Sequence, residues 1–180
     1  MTATIHLDEL IGEVVTVRSR NLVTRPTGVA VRDRVVFRLR DQRGDAWLDF
    51  SRVGVVDFSC ADEVVAKLLT LLEELPVSRV ALIGLHAHHA EAIDHALDRQ
   101  GLTILALRAD EGPPCLLGQV CDDLRDAFGA LKRLGRATPD RVAATLAWSV
   151  DRAALALNDL ARRRCALAHD DASYELGALR

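Results

Sequence analysis

The residues best suited to chemistry lie in one short segment, residues 56–60, which reads Val-Asp-Phe-Ser-Cys. Apolar residues recur at helical spacing from Ala61 onward, so a helix is expected to begin beside Ser59. With Asp62 three residues later, Ser59 fits a capping-box pattern and is predicted to be the helix N-cap. A phosphate on Ser59 would meet free backbone N–H groups and the positive end of the helix dipole. Ser59 is therefore either a plain cap or a phosphoacceptor.

A second group of reactive side chains consists of Cys60 and the histidines His86, His88, His89 and His95. A cysteine at an exposed helix N-terminus has a lowered pKa, whereas a buried one only packs. Histidines after a strand are suitable metal ligands, but no Asp or Cys joins them at a diagnostic spacing. The sequence therefore predicts no catalytic residue, no metal site and no cofactor. A metal- or thiol-dependent enzyme using Cys60 and residues 86–95 is the most remote alternative.

Apolar patterns and chain breakers predict the elements that position these residues. Strands are predicted at the apolar run of Trp47, Leu48 and Phe50, at residues 79–85 and at residues 102–107, and helices at residues 61–75 and 88–100. Residues 27–40 fit a helix, although a strand-like alternation also runs through them. Residues 5–10 and 14–17 are predicted as two short strands, or a strand and a turn. Alternating strands and helices favour a mostly parallel α/β sheet with covering helices.

The strand, loop and helix around Ser59 resemble the STAS domain, a family named for sulfate transporters and anti-sigma-factor antagonists. Its loop reads roughly Ile-Asp-Ser-Ser-Gly, and a partner kinase phosphorylates a serine there in many members. Asp57 matches the family aspartate and Ser59 the phosphoacceptor, while Phe58 replaces the first serine and Cys60-Ala61 the glycine. The resemblance implies a mixed or parallel sheet with covering helices. It also implies a protein partner, a kinase or an anti-sigma-like protein, at the Ser59 face.

The pattern changes at Glu111-Gly112-Pro113-Pro114, which predicts a boundary between a domain of residues 1–112 and one of residues 115–180. Beyond it, helices are predicted over residues 117–134, from Pro139 to about Trp148, and from Ser149 to residue 164. Residues on either side of Asp170-Asp171 are predicted to form a short hairpin. The second domain is therefore expected to be a small α+β fold.

This order of three helices and a hairpin resembles the winged helix-turn-helix domain, over about residues 119–179. The resemblance implies that the third helix enters the major groove of double-stranded DNA while the hairpin contacts the backbone. The candidate DNA-binding residues are Ser149, Arg152, Asn158 and Arg162. Among them, Arg152 has the chemistry to pair with guanine and Asn158 with adenine.

The charge pattern of the second domain gives DNA binding little support. Residues 115–180 contain ten Lys and Arg against nine Asp and Glu, and the hairpin carries Asp170 and Asp171 where a DNA-binding wing usually carries Lys or Arg. Winged helices also dock proteins or dimerise. DNA binding stays ahead of protein docking on fold analogy alone.

The whole-chain composition is that of an ordinary globular protein. The 180 residues are 49% hydrophobic and 27% charged, with a formal net charge of −3. The sequence has no apolar run long enough to cross a membrane, and its start lacks the features of a signal peptide. Its four cysteines are scattered without a CxxC pair, which favours reduced thiols and a cytoplasmic location.

These patterns together predict a non-enzymatic, cytoplasmic regulatory protein of two domains. The STAS-like domain would sense a partner or signal, and the winged helix would bind DNA and regulate transcription. The alternative is a protein–protein adaptor whose winged helix docks a partner or a second copy of the chain, which would make it a homodimer. Binding to duplex DNA, and the dependence of that binding on salt, separates these two hypotheses.

Overall fold

The computed structural model describes residues 2–16, 19–110 and 112–177, which form a mixed α/β structure. They belong to two compact units, Met1–Gln119 and Val120–Arg180. The division therefore lies after Gln119, later in the chain than the predicted boundary at residues 112–115. The reason is that Cys115–Gly118 forms a strand of the first unit, where the sequence pattern predicted the start of a helix. No helix in the described residues is long and apolar enough to cross a membrane.

The first unit is built on one five-stranded sheet whose strands follow each other in chain order. The strands are β1 (Ala3–His6), β2 (Gly44–Asp49), β3 (Val77–Leu85), β4 (Thr103–Arg108) and β5 (Cys115–Gly118). The first four are parallel, and β5 runs antiparallel to β4. Right-handed crossovers between successive neighbouring strands carry their helices to the same face of the sheet. The predicted parallel strands are thus confirmed.

Two helices precede β2 in the first unit, α1 (Leu7–Val14) and α2 (Arg25–Leu39). The predicted strand over residues 5–10 is wrong beyond His6, because Leu7, Leu10 and Ile11 recur at helical spacing and are all buried. The alternative strand at residues 14–17 is also wrong, because Val14 ends α1 and residues 15 and 16 form no strand, while residue 17 lies outside the described residues. The predicted helix at residues 27–40 is confirmed, and Phe37, 66% exposed, shows that the strand-like alternation there had no structural meaning.

The helix after β2 is irregular and is called here the 58–74 helix. It begins as α3 (Phe58–Ala61), widens into a π-helical turn over Asp62–Ala66, continues as α4 (Lys67–Leu71) and ends in a 3₁₀ turn over Leu72–Glu74. Gly28 of α2 lies against the junction of α3 and the π turn. A Cβ atom at Gly28 would stand 3.1 Å from both Cys60 Cα and Glu63 Cβ, so glycine permits this close approach. The last helix of the unit, α5, spans Ala87–Asp98.

The second unit contains three helices and a short hairpin. Its elements are α6 (Asp122–Leu134), α7 (Pro139–Leu146), α8 (Val150–Arg162), β6 (Leu167–Ala168) and β7 (Tyr174–Glu175). Ala147, with φ of 54°, makes the tight turn between α7 and α8. Ala137 forms an antiparallel bridge to Tyr174, which adds a third extended segment beside the hairpin. Leu124, Leu131, Leu157 and Leu160 are buried in the interior of this unit.

Candidate functional site

The segment that the sequence singled out lies where β2 gives way to the 58–74 helix, and Asp49 anchors its beginning. Asp49 Oδ1 accepts a hydrogen bond from the Ser51 backbone N–H at 2.8 Å, and its Oδ2 lies 2.9 Å from His6 Nδ1. Gly84, with φ of +69°, backs this turn, and a Cβ atom there would stand 2.7 Å from the Ser51 nitrogen. The turn out of β2 therefore requires glycine at position 84.

The helix cap is Asp57 rather than Ser59, so the predicted N-cap role of Ser59 is wrong. Asp57 Oδ1 accepts the Cys60 backbone N–H at 2.8 Å, and the Ser59 hydroxyl donates to the same oxygen at 2.9 Å. Asp caps helices as well as Ser does, and Asp57 stands at the correct position outside the first turn. A phosphate on Ser59 would lose this hydrogen bond and face the Asp57 carboxylate at close range.

Cys60 is a packing residue of the first unit. Its side chain is fully buried, and its thiol donates to the Thr24 carbonyl oxygen at 3.0 Å. Burial, with the nearby Asp57 carboxylate, raises the pKa of Cys60 to about 11. The thiolate, which is the reactive form, is therefore scarce at neutral pH. Of the two interpretations of Cys60, the structure thus supports a buried packing residue.

A short parallel pairing holds the loop that leads to Asp57. The Leu22 N–H donates to the Val55 carbonyl at 2.7 Å, and the Asp57 N–H donates back to the Leu22 carbonyl at 2.8 Å. Asn21 Oδ1 accepts the Val55 N–H at 3.0 Å. This pairing buries Leu22 and leaves Val23 46% and Val55 50% exposed. The loop is therefore ordered by backbone bonds and displays aliphatic side chains.

Histidines at the start of α5 contact the backbone of the same loop. His88 Nε2 and His89 Nε2 lie 2.9 and 2.6 Å from the Gly54 carbonyl oxygen. His89 is fully buried, and its Nδ1 accepts the His86 backbone N–H at 3.3 Å, so the neutral His89 ring carries its proton on Nε2. Burial holds the pKa of His89 below its ordinary value. These rings bind the backbone of the loop, and no group of His, Cys, Asp and Glu in the described residues is placed to hold a metal ion.

A shallow groove, called here the loop groove, lies next to the Asp57 cap. It measures about 400 Å³ and is lined by Phe58, His88, Glu91, Ala92 and His95. The rings of Phe58 and His95 meet edge to face at 5.0 Å, and the Arg99 guanidinium lies 5.5 Å from the Phe58 ring centre. The face that the STAS resemblance assigns to a partner is therefore a partly aromatic groove.

Glu63, in the π turn, is a buried carboxylate that the sequence pattern placed on the polar side of the helix. Its side chain is only 3% exposed and accepts from Arg25 at 2.6 Å, Arg32 at 2.6 Å and Lys67 at 2.5 Å. Although burial by itself raises it, the pKa of Glu63 is lowered by these three cations. The network joins α2 to the 58–74 helix. The only sign of this network in the sequence was the concentration of arginines near its beginning.

All four residues assigned to DNA lie on α8 or cap it, and each is bonded within the second unit. Ser149 Oγ accepts the Arg152 backbone N–H at 3.3 Å, which confirms Ser149 as a helix cap. The Arg152 guanidinium donates to both carboxylate oxygens of Asp123, at 3.1 and 2.6 Å, and stacks 4.1 Å from the Trp148 ring centre. Asn158 Oδ1 accepts the Tyr174 hydroxyl at 2.7 Å. The Arg152 guanidinium and the Asn158 side-chain oxygen, both predicted to contact bases, are thus hydrogen-bonded within the unit.

The remaining surface of α8 and the hairpin is no more basic. Arg162 donates to Asp159 at 2.5 Å. In the hairpin, both carboxylate oxygens of Asp171 accept from one guanidinium nitrogen of Arg136 at 2.9 Å, and Oδ1 also accepts from the Ser173 hydroxyl at 2.5 Å. The Ser173 hydroxyl and Arg136 hold the pKa of Asp171 at about 2. Leu155, in the middle of α8, has 72% of its surface exposed. The outer stripe of α8 therefore combines paired charges with a large apolar side chain.

Comparison with known proteins shows no family for this chain. No protein-family model matches the chain, and a search of curated proteins gives no match. Function is therefore inferred from the two surfaces, the loop groove of the first unit and the outer stripe of α8.

Proposed function

We propose that the chain is a non-enzymatic regulatory adaptor, in which a STAS-like first unit receives a partner at the loop groove and a winged-helix second unit docks another protein through α8. The expectation of DNA binding came from fold analogy. Protein docking was the alternative, and the side-chain contacts of α8 favour it.

Support for a STAS-like first unit comes from its strand, loop and helix order and from the position of Asp57. The segment after β2 is fixed by backbone pairing and by His88 and His89, so it presents a defined surface. Val55 and Phe58 give that surface apolar contact area. Such ordered, partly apolar loops on a rigid sheet are common recognition surfaces.

Support for a winged-helix second unit comes from its element order. Between α6 and α7, Ala137 pairs with Tyr174 of β7, and the hairpin of β6 and β7 follows α8. Three helices followed by a hairpin, in this order, are what the winged-helix resemblance implies. The fold by itself does not distinguish DNA from protein as the ligand.

The observation that carries the proposal is the pairing of Arg152 with Asp123. A base-reading arginine must offer its guanidinium to guanine, and Arg152 would have to leave both the carboxylate and the Trp148 ring to do so. The exposed centre of the stripe is Leu155, flanked by Asp151 one turn earlier. An apolar centre bordered by charge is typical of a protein interface.

Two binding measurements on the whole protein test this proposal. Anisotropy with a labelled random-sequence DNA duplex at low salt is expected to give no more than weak binding, which does not respond to Arg152→Ala. Proximity cross-linking in the native host is expected to yield a protein partner that Leu155→Asp loses, while Phe37→Asp, at an exposed site of the first unit, retains it. Tight, salt-sensitive DNA binding that Arg152→Ala weakens would overturn the proposal.

A further inference from the structure

We infer that the partner docked by α8 presents a cationic amphipathic segment, with an apolar side chain for Leu155 and a Lys or Arg for Asp151. The inference rests on the proposed function, because it specifies the chemistry of the partner at the same surface. It follows from the shape, the lining and the charge of one groove in the second unit.

The groove lies between the beginning of α6 and the outer side of α8. It encloses about 400 Å³ and is lined by residues that include Leu124 of α6, Leu155 and Ala156 of α8, and Cys121, which precedes α6. Leu124 and Ala156 are 1% and 7% exposed and form an apolar floor, whereas Leu155 is 72% exposed. A partner side chain that contacts Leu155 and enters the groove therefore meets apolar surface, whose burial favours association.

The charges around this groove are mainly acidic. Asp123, Asp151 and Asp159 line it, against the single guanidinium of Arg152. Arg152 is already shared between Asp123 and, at longer range, Asp126, and these carboxylates raise its pKa. Arg152 keeps its charge, but the Asp123 carboxylate beside it balances that charge, so an anionic partner would find little attraction at this end of the groove.

Asp151 is the carboxylate that is placed to pair with a Lys or Arg of the partner. Among the described residues it makes no hydrogen bond or ion pair, and its side chain is exposed in the first turn of α8. Asp159, at the other end of the groove, is held by Arg162 and Arg163 at 2.5 and 3.0 Å. The uncompensated negative charge thus lies near Asp151, one helical turn from Leu155, which is the spacing of neighbouring side chains on a helix. A partner helix with an apolar residue and a Lys or Arg one turn apart matches both.

Three peptides tested against the intact protein examine this directly. The probe is a fluorescent helical peptide of about sixteen residues with Leu on one face and Lys beside it, a size that matches one helix-in-groove contact. One control replaces Lys by Glu and the other replaces Leu by Ser. We expect the Lys/Leu peptide to bind at least about tenfold more tightly than either control, with affinity falling as salt rises.

Protein variants locate the site. Leu155→Ser is expected to weaken the Lys/Leu peptide about tenfold, and Asp151→Asn about threefold, as for removal of a partly exposed ion pair. Asp170→Asn removes the same charge from an exposed position of the hairpin and should leave the affinity unchanged. If Asp170→Asn weakened the peptide as much as Asp151→Asn, the affinity would depend only on the net charge of the protein. If the Glu peptide bound more tightly than the Lys/Leu peptide, the groove would prefer an anionic partner. Either result overturns the inference.

The failure of this inference can be told apart from the failure of the proposed function. If a host protein is lost with Leu155→Asp but the Lys/Leu peptide does not bind, the adaptor stands and the cationic segment is wrong. If neither binds, both are wrong. A concentration-dependent dimer in sedimentation that Leu155→Ser abolishes would identify a second copy of the chain as the occupant, and would also overturn the cationic partner.

Discussion

The Ser59 hydroxyl donates to Asp57 Oδ1 at 2.9 Å, the same oxygen that caps the first turn of the 58–74 helix through the Cys60 N–H. Asp57 is thus the residue that caps the helix. Ser59 only adds a second hydrogen bond to the same carboxylate oxygen. Any modification of Ser59 must act on this shared oxygen. Its consequences for stability can be measured with single substitutions.

We predict that Asp57→Ala destabilises the protein more than Ser59→Ala does. Loss of the cap should lower the free energy of unfolding by about 1 kcal/mol, whereas Ser59→Ala leaves the bond from Asp57 to Cys60 intact and should cost about half as much. Ser59→Asp should be worse than Ser59→Ala, because it brings two carboxylates together. Urea denaturation of the four proteins checks the order. A larger cost for Ser59→Ala than for Asp57→Ala would restore Ser59 as the cap.

Glu63→Gln should destabilise the first unit. It removes the carboxylate that Arg25, Arg32 and Lys67 share, but Arg25 and Lys67 stay 49% and 40% exposed and Arg25 keeps Asp62, so the loss should be about 2 kcal/mol, that of hydrogen bonds to a charged group. Glu91→Gln, at an exposed position of α5, is the matched control and should be close to neutral. Thermal and urea unfolding of both variants provide the comparison. Similar midpoints for the two would show that the network contributes little.

The same residue predicts a pH dependence. Because the pKa of Glu63 is lowered in the folded state, its contribution is present above the ordinary value of 4.5 and is lost as pH falls from there through the folded pKa. Wild-type stability should therefore decline in acid more steeply than that of Glu63→Gln. The measurement is the free energy of unfolding between about pH 6 and pH 3, a span that brackets the ordinary carboxyl pKa. Parallel curves for the two proteins would contradict it.

His89 gives a second pH dependence at a milder pH. Its folded pKa is lowered from 6.5, so below that value the unfolded chain binds a proton that the folded chain excludes. Folding stability should therefore be greatest above pH 6.5 and fall as the pH drops below it. His89→Gln should be less stable at high pH, since the buried bond to Gly54 is altered, but should lack this decline. If wild type and variant show the same slope, the decline belongs to other groups.

The position of β5 predicts where the first unit can be cut from the chain. A fragment of residues 1–119 retains the four register pairs between β4 and β5 and should unfold cooperatively. A fragment of residues 1–112 lacks β5 and exposes the edge of β4, so it should melt at a lower temperature or aggregate. Circular dichroism melts of the two fragments give the answer. Equal melting temperatures would exclude a stabilising role for β5.

The sequence predicted those elements whose hydrophobic period was long and unambiguous, such as β3, α5 and the three helices of the second unit. It missed α1 because Leu7, Leu10 and Ile11 span barely one turn, too short to distinguish from a strand. It missed β5 because the prolines before Cys115 suggested a break where the chain rejoins the sheet. Hydrophobic periodicity does not identify a helix of barely one patterned turn, or a strand that rejoins the sheet after a break.

The loop after β2 was predicted at the right place in the chain, but the bonds within it were not. The sequence located the loop at residues 56–60, yet Asp57 and Ser59 are both good caps and pattern alone does not choose between them. Glu63 escaped notice because the π turn rotates the residues that follow α3 relative to an ideal helix, which brings a nominally polar position inside. The sequence showed that residues 115–180 are only weakly basic. It could not show that Arg152 of α8 is paired with Asp123.

The π turn at Asp62–Ala66 is equivalent to one extra residue inserted into an α-helix. Deleting a single residue there would restore ordinary winding and turn α4 by about 100° relative to α3, since each residue of a 3.6-residue turn contributes that angle. Glu63 and Lys67 would stay neighbours, since residues three apart on a helix also share a face. Leu68 and Leu72, which are 1% and 4% exposed, would instead be turned away from the core. The extra residue of the π turn therefore sets which face of α4 is buried.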